Sequence, residues 1–217
     1  MEQKKVLTSA FGWLSVGLLL AFVTAFVTTL NQNVMRIVFG SLGGYSYLIF
    51  VAAMLLFVIL FQVLIRKIPP IVAKILYIFY CCFTGLSLAG VFIVYTLTSI
   101  MYVFLATAIC FAVFALIGRF TKTDLTSWGV YLFMALIAIL VLEVINIFVM
   151  NHTLNMILCI AGVLLFCAYI AYDVQKALDK SFMMDTPNKG IYCAFQLFID
   201  FINLFLDLLR LFGKTRD

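Results

Sequence analysis

The chain has 217 residues, of which 66% are hydrophobic and only 11% charged. A soluble domain carries roughly 25% charged residues, and a fold of this size could not hide so much apolar surface from water. A soluble globule is therefore excluded and the solvent is lipid. The formal net charge of +5 reflects basic loops, which set topology, and does not indicate nucleic acid.

Taken in chain order, seven apolar runs are each about long enough to cross a bilayer: Phe11–Leu30, Tyr45–Ile65, Ile75–Tyr95, Ser99–Ile117, Trp128–Met150, Leu154–Val174 and Gly190–Phe212. They are apolar on every side, which excludes the alternating strands of a β-barrel, and only helices satisfy their own backbone over such lengths in lipid. "MEQKK" before the first run has the look of a signal peptide. The run is too long for one and lacks a small-x-small cleavage site, so it reads as a retained span. Pro69, Pro70 and Pro187 fall between runs, where a missing N–H costs nothing. Connections are short, and residues 1–217 are expected to form one seven-helix transmembrane domain. Cys81, Cys82, Cys110, Cys159, Cys167 and Cys193 all lie inside apolar runs without CxxC spacing, as buried small hydrophobes do.

With the N-terminus inside and seven spans, ten basic residues fall on the inner side: Lys4, Lys5, Arg66, Lys67, Lys74, Arg119, Lys122, Lys176, Lys180 and Lys189. Four fall outside: Arg36, Arg210, Lys214 and Arg216. The positive-inside rule favours this orientation. Three of the four exceptions are C-terminal, so a last segment that dips in and returns is the alternative to a full crossing. An inside N-terminus is common to both.

The last run, "CAFQLFIDFINLFLDLLRLF", holds two carboxylates and a guanidinium. At 100° per residue, Tyr192, Gln196, Asp200, Asn203, Asp207 and Arg210 fall within a stripe of about 80°. That stripe must face protein or water, since a charge at mid-bilayer costs at least ~3 kcal/mol. Asp200 lies about 15 Å along the helix from Gly190, near the bilayer centre, and a mid-membrane acid is a functional-site hypothesis by default. Asp207 and Arg210, at i,i+3, can pair. Asp173 closes the sixth run in "AYIAYDVQKALDK". Gly162 and Phe166 share its face, so another helix can approach there closely. Glu143 sits inside the fifth run, where it could bond Asn146 or a neighbouring helix. Arg66 ends the second run, as an interfacial stop charge or as something more.

Several chemistries are excluded. The single histidine, His152, sits in the "MNHTL" turn, so no zinc hydrolase ligand set exists. No membrane Ser–His or Ser–Lys dyad is present, and no mid-helix lysine could carry retinal. An aspartyl intramembrane protease needs two facing carboxylates. Asp173 and Asp200 could supply them and "AYD" is present, but the GxGD motif of such enzymes is absent. The chain is not expected to be an enzyme.

"AYIAYDVQKAL" followed by "LFIDFINLFLDLLRLFG", together with "FTKTDLTSWGVYLF" between the fourth and fifth runs, resembles the transmembrane Bax inhibitor motif family, also called the Bax inhibitor-1 family. The likeness covers all seven runs and is most specific in the C-terminal half. It implies an all-α polytopic membrane protein with six helices packed around a central C-terminal helix, acting as a pH-sensitive calcium leak. It implies that Asp173 and Asp200 form a hydrogen-bonded pair that senses pH, and that Arg66, or Lys67 one residue on, latches Asp200 in the closed state. The stripe residues Asp200, Asn203 and Asp207 would line the ion pathway, with Glu143, Gln196 and Arg210 as polar support. No bound cofactor is expected, and Ca²⁺ enters only as the permeant ion. The partners are then the lipid bilayer and calcium ions, and the location is a bacterial plasma membrane with a cytoplasmic N-terminus. A proton-coupled transporter of a small solute and a non-transporting membrane regulator are the alternatives.

Overall fold

The computed structural model describes residues 2–31, 33, 46–179, 182 and 186–216, with side chains from Lys5 in the first helix and from Ala52 in the second. Arg36 and Lys180, which enter the charge count above, lie outside the described residues, as does Tyr45 at the start of the second run. Seven α-helices occupy the described residues: α1 (Glu2–Leu30), α2 (Ser46–Leu64), α3 (Pro70–Val94), α4 (Leu97–Phe120), α5 (Gly129–Val149), α6 (His152–Leu178) and α7 (Lys189–Phe212). No β-strand occurs among them. Six helices are long and apolar enough to cross a membrane, and α2 is apolar over Ala52–Leu64.

The helices outrun the apolar runs where a polar turn can continue them into the interface. α1 takes in the charged first residues, and α6 continues past Val174 through Lys176. α3 opens at Pro70, whose fixed φ suits the first helical position, behind an extended Pro69. α5 stops at Met150, which has φ 52°, a left-handed conformation that a β-carbon makes costly. Two asparagines close this corner: Asn146 Oδ1 accepts from Asn151 N at 3.1 Å, and Asn151 Oδ1 caps α6 by accepting from Leu154 N at 3.0 Å. His152, the first residue of α6, is exposed. α7 is one unbroken helix of 24 residues. At 1.5 Å per residue that is about 36 Å, enough for a full crossing.

The chain divides into two compact units. The first contains α1, α2, α3 and the start of α7 up to Phe195. Here α1 packs along α3 through small residues: a β-carbon on Gly85 would strike the Ala21 carbonyl and Thr24, and the Tyr77 hydroxyl donates to Trp13 O at 2.8 Å. Without a hydrophobic drive between helices in lipid, such close approach and buried polar bonds hold the pair. Phe195 wedges against Phe61 of α2 and Tyr80 of α3, with ring centroids 4.3 and 4.8 Å away.

The second unit contains α4, α5, α6 and α7 from Gln196. α4 meets α6 at Gly118, where a β-carbon would overlap the Ala171 backbone. Phe201 of α7 packs on Phe104 and Phe111 of α4, at 5.3 and 5.6 Å. α5 buries only Leu132 and presents Val130, Tyr131, Phe133 and Met134 outward, the surface of a helix facing lipid. α7 is the opposite case: 72% of its most apolar window is buried against 6% for α5, so a polar stripe is tolerable on α7 alone.

Between α4 and α5 the loop is held by Asp124, whose carboxylate accepts from the Thr126 hydroxyl and from Thr126 N. These bonds hold its carboxyl below the usual carboxylate range. Because the folded value is depressed, this contribution is present above the unfolded pKa and lost as pH falls through the folded one. Thr126→Ala should raise the Asp124 pKa toward its ordinary value, read from the pH dependence of its carboxyl carbon shift by NMR. Gly118→Val should destabilise the second unit by ~1–3 kcal/mol through overpacking, measured by thermal unfolding in detergent. Met150→Gly should stabilise by about 1 kcal/mol in the same assay by relieving the left-handed strain.

Candidate proton and ion site

Asp173 near the end of α6 and Asp200 in the middle of α7 are 6% and 4% exposed. Their carboxyl groups lie close enough for each to act on the other. Two carboxylates offer only acceptors, so a hydrogen bond between them requires that one of the two carry a proton. The Oδ2 atom of each is buried and has no hydrogen-bond partner among the described residues. Lys176, one turn beyond Asp173, is the cation whose field acts on it. Its ammonium stands 5.0 Å from the Tyr172 ring and 4.8 Å from that of Phe182. Tyr169, one turn before Asp173, lies close enough to feel both acids.

The rest of the stripe splits into parts with different roles. Gln196 is half-buried, with Oε1 unpartnered among the described residues. Asn203 turns its amide back on its own helix, donating to Ile199 O at 2.9 Å. Asp207 is buried against Gly162 of α6, where a β-carbon would collide with its carboxylate. The α6 face carrying Gly162 and Asp173 thus receives both acids of α7. At the far end, Arg210 binds Glu143 of α5 at 3.0 Å and Asp207 at 3.6 Å. The Asp207–Arg210 pair expected at i,i+3 is present, and Glu143 serves as glue to a neighbouring helix rather than to Asn146. Asp200, Asn203 and Asp207 do not converge on one point, and no cluster of three metal-binding acids, histidines or cysteines occurs among the described residues. Arg66 and Lys67 are exposed in the turn after α2.

Two residues that sequence reasoning passed over do structural work beside the named ones. Gln175 of α6 clamps the α4–α5 loop: its Oε1 accepts from Leu125 N at 2.6 Å and its Nε2 donates to Thr123 O at 2.8 Å. Asn188, just before α7, donates from Nδ2 to Ile65 O at 2.7 Å and Ile68 O at 2.8 Å. A signal for Asn188 was available in the sequence. Pro69 and Pro70 leave carbonyls at the end of the second run without i+4 donors, so a polar side chain from elsewhere must supply them.

If Gly162 exists to seat Asp207, the two positions are energetically coupled. Gly162→Ala should cost more in the wild type than in an Asp207→Ala background, with a coupling of about 1 kcal/mol in a double-mutant cycle of thermal stability. Additive costs would show that the glycine serves something else.

A family model described as "Inhibitor of apoptosis-promoting Bax1" matches residues 3–217. The chain is 37% identical over 216 residues to the inner membrane protein YbhL of Escherichia coli K12, covering 97% of this chain and 92% of that one. It is 36% identical over 220 residues to an uncharacterized protein of Borreliella burgdorferi, covering 99% and 94%. It is 30% identical over 218 residues to the uncharacterized protein RP147 of Rickettsia prowazekii, covering 99% and 91%. A polytopic helical chain, an acid pair shared between its last two helices and a match over nearly its whole length lead to one assignment: the chain is a membrane protein of the Bax inhibitor family.

Proposed function

We propose that this protein is a pH-sensitive calcium leak of a bacterial inner membrane, with its N-terminus on the cytoplasmic side. The observation that carries this reading is the Asp173–Asp200 contact: two buried acids on adjacent helices of a lipid-embedded chain, able to bond only by sharing a proton. Such a pair is a proton sensor that needs no histidine, because its charge changes by one unit when the second site fills. Ionised, its oxygens suit Ca²⁺, which takes carboxylate and carbonyl ligands. Asp200, Asn203 and Asp207, spaced along α7, are the polar steps available to a permeating ion. No covalent chemistry is involved, in line with a channel rather than an enzyme.

In this mechanism Arg66 holds the closed state by pairing with ionised Asp200. An Arg–carboxylate pair favours the charged acid, and protonation removes the attraction. Acid therefore releases α7 and opens the path. A differential stabilisation of ~1.4 kcal/mol changes the open-to-closed ratio tenfold. The test is calcium flux from proteoliposomes across about pH 6 to 8, at matched protein incorporation and with no co-substrate. Wild-type flux should rise with acid. Asp200→Asn should lose most of the pH response, because an amide does not titrate. Arg66→Ala should leak more at neutral pH with a flattened profile, and a wild-type profile in Arg66→Ala would remove the latch role from that residue. Flux that requires a second solute would replace the leak by a proton-coupled transporter. No calcium flux at any pH would leave a membrane regulator.

A further inference from the structure

Asn188 is 1% exposed, among the most buried residues of the chain although it stands at a helix start. Burying an amide is unfavourable unless its bonds are replaced; here Oδ1 has no partner among the described residues, and the two N–H groups are satisfied by one specific arrangement. α2 ends with carbonyls that the sequence deprives of donors. The N–H that would bond Ile65 O is that of residue 69, four positions on, and Pro69 has none. Ile68 O lies two residues before α3, whose first backbone bond runs from Ala73 N to Pro69 O at 3.1 Å. The Asn188 amide meets both carbonyls with its two N–H groups. Since both partners are acceptors, only the nitrogen of the amide can face them. The backbone carbonyl of the same residue accepts from Tyr192 N at 2.9 Å, in the first turn of α7. One residue therefore belongs at once to the start of α7 and to the end of α2. Next to it, Gly190 permits the close approach of Ser9 and Val6 of α1.

We propose that Asn188 is a positioning residue that couples α7 to the α2–α3 turn, so that the turn bearing Arg66 and Lys67 follows any movement of the last helix. The proposal deepens the gating reading above and rests on it for its purpose, but the coupling has its own physical basis. A helix is stiff along its axis, and Asp200 lies twelve residues beyond Asn188, or about 18 Å at 1.5 Å per residue. A change at Asp200 that shifts α7 is delivered to the turn through two hydrogen bonds rather than through a slack loop.

The experiment is hydrogen exchange on the protein in lipid nanodiscs, read at the amides of Lys67 and Ile68, which both bond Leu64 O within the turn. Six proteins are compared: wild type, Asn188→Ala, Pro69→Ala with Asn188→Ala, and each of these three with Asp200→Asn. Asn188→Ala should speed exchange in the turn about tenfold by removing two buried bonds. Adding Pro69→Ala returns an N–H to Ile65 O and should restore protection, which keeps the test valid if the single variant is unstable. Asp200→Asn should change turn protection in the wild type and leave it unchanged in the Pro69→Ala, Asn188→Ala protein, where the turn is intact but untied. Unaltered exchange in Asn188→Ala would overturn the proposal. So would an Asp200→Asn effect that is absent from the wild type or that persists without Asn188, since Asn188 would then only close the end of α2. Absence of calcium flux, with these exchange results intact, would sink the leak and leave the coupling standing.

Discussion

Two acids buried in a lipid-embedded bundle must share a proton or part, and the second half of this molecule is arranged around that constraint. The cost of ionising both Asp173 and Asp200 in a low-dielectric interior far exceeds that of ionising one. The charge that the pair carries is therefore the electrostatic constraint on how the α6 and α7 faces meet. Gly162 seats Asp207 further along the same α6 face, and Arg210 ties Asp207 and Glu143 at the far end. Both contacts hold α7 in register against α5 and α6.

The lipid solvent explains the contrast between helices. α5, with one buried residue, satisfies its backbone internally and offers apolar side chains to lipid at no cost. α7 could not do so with its acids exposed, and it is the most buried of the candidate spans. Association without a hydrophobic drive then depends on small residues and buried polar bonds. That is where the glycines sit: Gly85 against α1, Gly118 against the Ala171 backbone and Gly162 against Asp207.

Much of this was legible from the chain alone. Seven apolar runs marked seven helices, because in lipid the length and hydropathy of a run leave few other solutions. The 80° stripe at 100° per residue identified the acids of α7 that turn inward, and the Gly162–Phe166–Asp173 face identified the surface that receives them. Helix ends were read short, since polar turns such as the start of α1 continue a helix without adding hydropathy. The partner of Glu143 was open because Arg210 is 67 residues away, and periodicity carries no information on distant pairs. Gln175 and Asn188 escaped for a related reason. Each bonds backbone carbonyls or amides of a remote turn, and backbone groups leave no trace in a sequence except through prolines that remove a donor.

Whether Asp173 and Asp200 share one proton can be read by difference infrared spectroscopy of the carboxyl region. The wild-type protein in lipid would be titrated alongside Asp173→Asn and Asp200→Asn. One carboxyl transition common to both residues should appear in the wild type, and either substitution should abolish it or move it, because the proton belongs to the pair. Two independent transitions, each surviving unchanged when the other acid is replaced, would show that the acids titrate separately and share no proton.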